Sequence, residues 1–513
     1  MQHVLKRRAR TLAANFLKRF SYDQSGNLAM IFALSLLPLT AAAGAAVDLN
    51  RAFIVQQRLE RALDAAGLAV GAAPATTEAE MLATAQSFFD ANYNDQETGV
   101  PGNLMLTPGD GSVTLAVTAE LPTTIMGVVG FDTLSVGSEI TVVRESKSLE
   151  IAMVLDNTGS MAWNGKIGAL RTAAEDLVTI LFGDQDEPEL LRMSLVPFVT
   201  AVNIKAEGFD MAWMDVNGDS RYHGENFDPD GPNNHFELFD GINNATWKGC
   251  VEMRPEPFDT LDTAPSPGNP DTLFVPYFWP DEPDNEGDAN NDYTKDRAGR
   301  RASFDERQEN GDKYIGRNVS VDETPSSTTG PNKSCARPLV PLTNSKSTLV
   351  NEVRAMEPWY NSGTNIAEGL AWGWRVLSPG SPFTQGQSFS DPDVQKAVIL
   401  LTDGNNEIVR QRTDNKSDYT SFGYIAQRRL GTESISTARD KIDQKVADMC
   451  ERIKSEGVRI YTITFQLNSP SLAEVFRECA TEPELYFNSP SNEQLRETFQ
   501  TIAYDLSNLR LAK

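Results

Sequence analysis

Residues 148 to 160, SLEIAMVLDNTGS, restrict the fold more than any other stretch of this 513-residue chain. The apolar run after Glu150 reads as a strand buried on both faces, and such strands belong to parallel sheets covered by helices. It ends in Asp156, Thr158 and Ser160. A carboxylate and two hydroxyls at alternate positions, where a strand gives way to a glycine-containing turn, can bring their oxygens to one spot. Oxygen donors suit a hard divalent cation (Mg²⁺, or else Ca²⁺ or Mn²⁺), and the C-terminal edge of an α/β sheet is where such folds place ligands. The same residue types cap helices, so Asp156 or Thr158 satisfying backbone donors is the competing reading.

Downstream, helical and strand patterns alternate. Helices are expected over 166–183, 347–356, 364–378, 434–455, 472–479 and 492–509, and strands over 191–202, 396–404 and 458–465. This rhythm predicts an α/β domain with a doubly wound, mainly parallel sheet, its first part at 148–202 and its second at 340–513. Between 203 and 339 the rhythm fails. Segments such as DVNGDSRYHGENFDPDGPNN (215–234) and PDEPDNEGDANND (280–292) are crowded with Asp, Asn, Gly and Pro. A structureless loop of that length is improbable inside a compact domain, so an acidic insertion with a fold of its own is expected. Trp213, Phe227, Phe236, Trp247, Phe274, Tyr277, Phe278 and Trp279 would supply its core, and a disordered acidic lid is the alternative. Asp215, Asn217 and Asp219 have the opening spacing of a calcium loop, but Ser220 stands where glycine is needed and Asn226 where glutamate is needed.

The other end of the chain has a different character. The net charge of −25 argues against nucleic acid as a partner for the body of the protein. Locally, Lys6, Arg7, Arg8, Arg10, Lys18 and Arg19 make residues 1–25 basic, and Leu28 to Val47 follows without a charge. At about 1.5 Å per residue that run crosses a hydrocarbon layer as one helix, in which Pro38 and Gly44 are tolerated. The basic flank places the N-terminus in the cytoplasm and everything after Asp48 outside it. A cleavable signal peptide competes, although the run exceeds a usual apolar region. Residues 49–147 read as a helical stalk, or else an ordinary helix packed on the next domain, with Phe53, Ile54, Leu59, Leu63 and Leu68 at roughly helical spacing and Pro74 as its stop, followed by a small α+β region: a helix over 78–93 and strands over 112–121 and 135–146. Four cysteines in an exported region are available for two disulfides. Three pairings are open, and their positions favour Cys250 with Cys335 and Cys450 with Cys479. No CxxC spacing occurs and His3, His223 and His235 are scattered, which argues against zinc.

Two resemblances add to this reading. Residues 26–69, GNLAMIFALSLLPLTAAAGAAVDLNRAFIVQQRLERALDAAGLA, resemble the anchor of TadE/TadG-like proteins of bacterial Flp-type (tight adherence) pilus machines, with a transmembrane anchor at 26–48. Prepilins carry a glutamate five residues after the glycine, where this chain has Ile31, so the resemblance implies an uncleaved anchor in the bacterial inner membrane with the bulk of the chain periplasmic. Asp156, Thr158 and Ser160, then Thr364 in NSGTN and Asp403 in LLTDGNN, resemble the metal-ion-dependent adhesion site of von Willebrand factor A domains, with Thr158 replacing the first serine of D-x-S-x-S. The likeness implies that Ser160, Thr158 and Thr364 hold the ion directly or through water, that Asp156 and Asp403 act mainly through water and hydrogen bonds, and that an open position accepts a partner protein's carboxylate. WKGCVEMRP (247–255) and TLFVPYFWPDEPD (272–284) also resemble segments of TadG-like proteins. The expected function is therefore metal-dependent protein binding in pilus assembly or adhesion, with a scaffold whose A domain needs no metal as the alternative. An enzyme is not expected, because no Ser/His/Asp or Cys/His set falls near the rim.

Overall fold

The computed structural model describes residues 25–72, 77–93, 99–109, 112–143, 147–287, 289–297, 301–325, 327–361, 363–467 and 469–510. The basic segment before Ser25 and the helix stop at Pro74 lie outside them. The chain divides into two compact units, at Met1–Glu145 and Ser146–Ala512.

In the first unit one helix, α1 (Ser25–Ala72), runs through the apolar segment and on into a folded region. Its later half buries Ala52, Val55, Leu59, Ala62, Leu63, Ala66 and Val70. These positions recur at helical spacing and form one face. Helix α2 (Glu78–Asn92) opens on a Thr77/Glu80 capping box and adds Met81, Ala85 and Phe89 to the same core. The sheet is antiparallel: β1 (Val100–Pro101), β2 (Met105–Gly109) and β4 (Thr133–Val143) all pair with β3 (Ser112–Pro122). Alternate β3 residues, Val113, Leu115, Val117, Ala119 and Leu121, face the helices, as the two-residue period of a strand requires. The expected stalk face needs correction. Leu59 and Leu63 are buried, but Phe53, Ile54 and Leu68 are exposed; the sheet comes close at Gly67 and Gly71, where a Cβ would lie 2.9 and 3.1 Å from Val142.

The second unit is a six-stranded sheet. Its strands are β5 (Ser148–Asp156), β6 (Leu191–Phe198), β7 (Val340–Thr343), β8 (Val394–Thr402), β9 (Arg459–Phe465) and β10 (Tyr486–Ser489), in the order β7-β6-β5-β8-β9-β10. Every neighbouring pair is parallel except β7 with β6. Leu149, Ile151, Met153 and Leu155 of β5 point to one face, where α3 (Lys166–Phe182), α4 (Lys346–Ala355) and α8 (Asn492–Arg510) pack. Ala152 and Val154 point to the other face, against α5 (Ile366–Leu377), α6 (Ile435–Ser455) and α7 (Pro470–Cys479). The one charge inside β5 is answered across the sheet. Glu150 accepts a 2.6 Å bond from Lys396 on β8, its register partner.

Helix α5 explains where the insertion goes. Every residue of IAEGLAWGWRVL is buried, so the helix has no water-facing side and needs cover all round. On the sheet side, Gly369 and Gly373 allow contact that a Cβ would block, at 2.7 Å from Phe198 and 2.4 Å from Val154. On the other side the insertion covers it. Trp213, Phe227, Phe239, Trp247, Phe274, Phe278 and Tyr314 belong to the same apolar cluster as Leu370, Trp372 and Val376. The expectation of a separate fold thus gives way to a shared core, in which short turns and two-residue strands clad one helix.

This burial also carries a pH-dependent cost. Burial pushes the Glu368 carboxyl up to about 7 from 4.5, against the opposing pull of Arg375 and a hydrogen bond from the Trp372 indole. A carboxyl raised on folding binds protons more tightly in the native state, so stability is greatest below the unfolded value and falls as pH rises through that window. Denaturant unfolding of the detergent-solubilised chain is expected to lose about 3 kcal/mol more between the two ends of the window than the Glu368→Gln variant does. Parallel pH profiles for the two proteins would show that this carboxyl is not the source.

Candidate functional site

β5 and β8 lie side by side with Leu155 opposite Leu401, so their C-terminal ends deliver Asp156 and Asp403 to one rim. Asp156 is fully buried. Its Oδ1 accepts from the Thr158 hydroxyl at 2.6 Å and the Thr158 amide at 2.8 Å, and its Oδ2 accepts from the Thr402 hydroxyl at 2.6 Å. The Thr158 and Ser160 hydroxyls are 3.0 Å apart, and Ser160 donates to Asp403 Oδ1 at 2.5 Å. Asp156, Thr158, Ser160 and Asp403 therefore form one chain of oxygens. Thr158 stands at the N-cap of the short helix that follows, yet its side chain makes no capping bond. The capping alternative thus holds for Asp156, which accepts one backbone amide, and not for the hydroxyl of Thr158.

The loop bearing Thr364 is laced to both others. Trp359 donates its amide to the Asn157 carbonyl at 2.8 Å, and Thr364 exchanges backbone bonds of 3.0 and 2.9 Å with Glu407, just beyond Asp403. Thr364 is tied to the Asp403 loop through this backbone pairing alone, while Asn365 takes the N-cap of α5 by accepting the Glu368 amide. Capping α5 is therefore the work of Asn365 and not of Thr364.

Two rim residues escaped sequence reading. Thr402 orients Asp156, and Lys166, the first residue of α3, donates to Asp403 Oδ2 at 2.8 Å with both side chains nearly or fully buried. A lysine six positions after Ser160, at a helix start following two turn residues of positive φ (Asn164 and Gly165), was the available signal. Burial, and then the negative charge of Asp403, push the Asp156 carboxyl up to about 7. Among the described residues no group of three or more His, Cys, Asp and Glu converges. The rim is thus a set of hydroxyls and two carboxylates. It fits a hard cation that keeps part of its water, and a positive charge there would relieve the crowding of Asp156 and Asp403.

Other sequence candidates fall elsewhere. Asp215 has its oxygens occupied by the amides of Asp219 and Ser220 and by His223 Nδ1 at 2.8 Å, so it closes a turn. The side chains of His223 and His235, scattered in the reading, are buried and lie against each other with ring centroids 4.8 Å apart at a tilt of 56°. Cys250 is bonded to Cys335 and Cys450 to Cys479. A cleft of about 700 Å³ runs along β7 between Arg192, Lys205, Arg337 and Glu352, and no rim residue lines it.

The strand order and the antiparallel edge strand define an α/β domain with a mainly parallel sheet, carried on a chain with an apolar N-terminal helix. Residues 26–73 match the family model described as putative Flp pilus-assembly TadE/G-like, and the helix they form is long and apolar enough to cross a membrane. Among solved structures, the von Willebrand domain of the type V pili tip protein Mfa5 from Porphyromonas gingivalis is similar at 10% identity and a TM-score of 0.33, over 72% of this chain and 97% of that one. The pilus adhesin SpaC from Lactobacillus rhamnosus GG is similar at 12% identity and a TM-score of 0.32, over 79% of this chain and 34% of that one. Proximal thread matrix protein 1 from the mussel byssus, in a structure with a zinc-occupied MIDAS motif, is similar at 14% identity and a TM-score of 0.29, over 72% and 47%. The present chain thus spans about a third of SpaC and about half of the byssus protein. No curated protein matches it.

Proposed function

We propose that this protein is an envelope component of Flp-type pilus assembly or adhesion, held in the bacterial inner membrane by residues 28–47 with its bulk in the periplasm. It binds partner proteins through a divalent cation, Mg²⁺ first, at Asp156, Thr158, Ser160, Thr364 and Asp403. The observation that carries this reading is the oxygen chain from Asp156 to Asp403, assembled from two strand ends and laced to the loop of Thr364. When bound, the cation supplies an open position for a partner's carboxylate. The chain's own residues then have distinct tasks: Thr402 and Thr158 fix the orientation of Asp156, and Asp403 holds Ser160 in place. Nothing at the rim calls for proton transfer, and neither His223 nor His235 is among the rim residues, in keeping with a binding role rather than an enzymatic one.

One observation favours the metal-free scaffold as a second reading: the Lys166 ammonium already gives Asp403 a cationic partner. Recovery of partners from envelope extracts by the tagged full-length chain, with Mg²⁺ and with a chelator, separates the two. Metal-dependent binding predicts partners lost on chelation and restored by Mg²⁺, whereas the same partners in both samples would refute it.

A further inference from the structure

The loop between β3 and β4 carries a feature that neither the rim nor the pilus reading uses. Thr123 to Phe131, TTIMGVVGF, contains no charge. Ile125 and Phe131 are 38% and 59% exposed at its two ends. The loop is a built object: Thr123 closes its base by bonding the Phe131 and Asp132 carbonyls, and Met126–Val129 form one short helical turn ending at Gly130. It is also fastened to α1 at the end of the apolar segment. Asp48 accepts the amides of Thr124, Ile125 and Met126 at 2.9 to 3.0 Å, and Arg51 donates to the Thr124 hydroxyl. Four residues before Asp48, about 6 Å along the helix axis, Gly44 lies against Ile125 so closely that a Cβ would sit 2.2 Å from the Ile125 side chain.

Gly44 belongs to the uncharged run that ends at Val47, and the most apolar window of this helix is only 6% buried. Ile125 therefore sits alongside the span, below the Asp48 clasp. Exposed apolar side chains held at that level face lipid, and loops or helices of this kind bury their apolar side about 5–10 Å into the boundary of headgroups and acyl chains. We infer that Ile125 and Phe131 dip into the outer edge of the bilayer beside α1, so that the protein holds the membrane by a span and an apolar foot together. The clasp fixes the folded region at a set height and tilt, which a bare helical stalk would not do. With no lysine or arginine in the loop, the lipid it takes is the acyl-chain region of an uncharged bilayer and not an anionic headgroup.

This inference rests on reading Leu28–Val47 as a membrane span, and the test separates the two. All described cysteines are paired in disulfides, so a thiol-reactive environment-sensitive fluorophore reports on an introduced cysteine. The full-length chain is reconstituted into phosphatidylcholine vesicles doped with lipid spin-labelled either near the head or near the end of its acyl chain. A probe at Phe131→Cys is expected to lose about half its fluorescence to the head-proximal label and much less to the deep one. A probe at Leu34→Cys, in the span, should be quenched by the deep label, and one at Glu120→Cys should be quenched by neither. Adding Gly44→Val, which displaces Ile125, should reduce quenching at position 131. An unquenched probe at 131 with a quenched probe at 34 overturns the foot and leaves the anchor standing. A blue-shifted but unquenched probe at 131 means protein covers the loop, and also overturns it. An unquenched probe at 34 removes the anchor and the foot together.

Discussion

Lys166→Met is expected to tighten Mg²⁺ binding at the rim by about 10- to 100-fold, and Asp156→Ala to remove it, when both are followed by calorimetric titration of the purified chain. The ammonium of Lys166 lies 2.8 Å from Asp403, where it neutralises the carboxylate that an incoming cation would use. A dication in the oxygen chain would stand within several ångströms of that ammonium, and at such range two unit charges repel by about 4 kcal/mol at an effective dielectric near 20. Methionine keeps the length and the apolar stem of the side chain without the charge. Opposite signs for the two variants follow only if the rim is a cation site, so unchanged affinity in Lys166→Met, or retained binding in Asp156→Ala, sinks the assignment. If the wild type binds weakly and Lys166→Met binds well, the lysine sets how much free cation the rim needs.

The second large effect is on stability. Cys250→Ala with Cys335→Ala opens a loop of 85 residues, for which chain-entropy arguments give about 4–5 kcal/mol. The loss should fall on the insertion, because this disulfide is packed with Tyr277, Trp279, Tyr419 and Tyr424 in a cluster of its own. Cys450→Ala with Cys479→Ala opens only 29 residues between α6 and α7 and should cost about 1 kcal/mol less. Denaturant midpoints and the rate of proteolytic cutting within 203–339 report both effects. Equal losses from the two pairs, or no change in cutting, would contradict the loop-length account.

The central strands were legible because their chemistry is local. SLEIAMVLD and KAVILLT contain almost nothing but residues that a doubly covered strand requires, and the helices around them have clear periods. The edge strands β7 and β10 were not read. Each has four residues, too few to show a period, and β7 contains Pro341, which an edge strand tolerates. On α1 the reading failed for a different reason. Large apolar residues drew attention to Phe53, Ile54 and Leu68, while the packed face mixes Val55, Leu59, Leu63 and Val70 with the small residues Ala52, Ala62 and Ala66. The insertion's place had an overlooked signal in IAEGLAWGWRVL, which lacks a polar face and so demanded cover from elsewhere in the chain.

At the rim the same division holds. Sequence alone supplied the proposed donors, since D-x-T-x-S and T-D-G at strand ends are statements about neighbouring residues, and the uncharged run marked a helix apolar enough to cross a membrane. Only the tertiary structure decided that Lys166 pairs with Asp403, that Asn365 and not Thr364 caps α5, and that an apolar loop is clasped by Asp48 at the end of the uncharged run. Each of these joins groups between 76 and 237 positions apart, or selects one neighbour over the next, and such choices depend on strand register and helix approach, which no local pattern encodes.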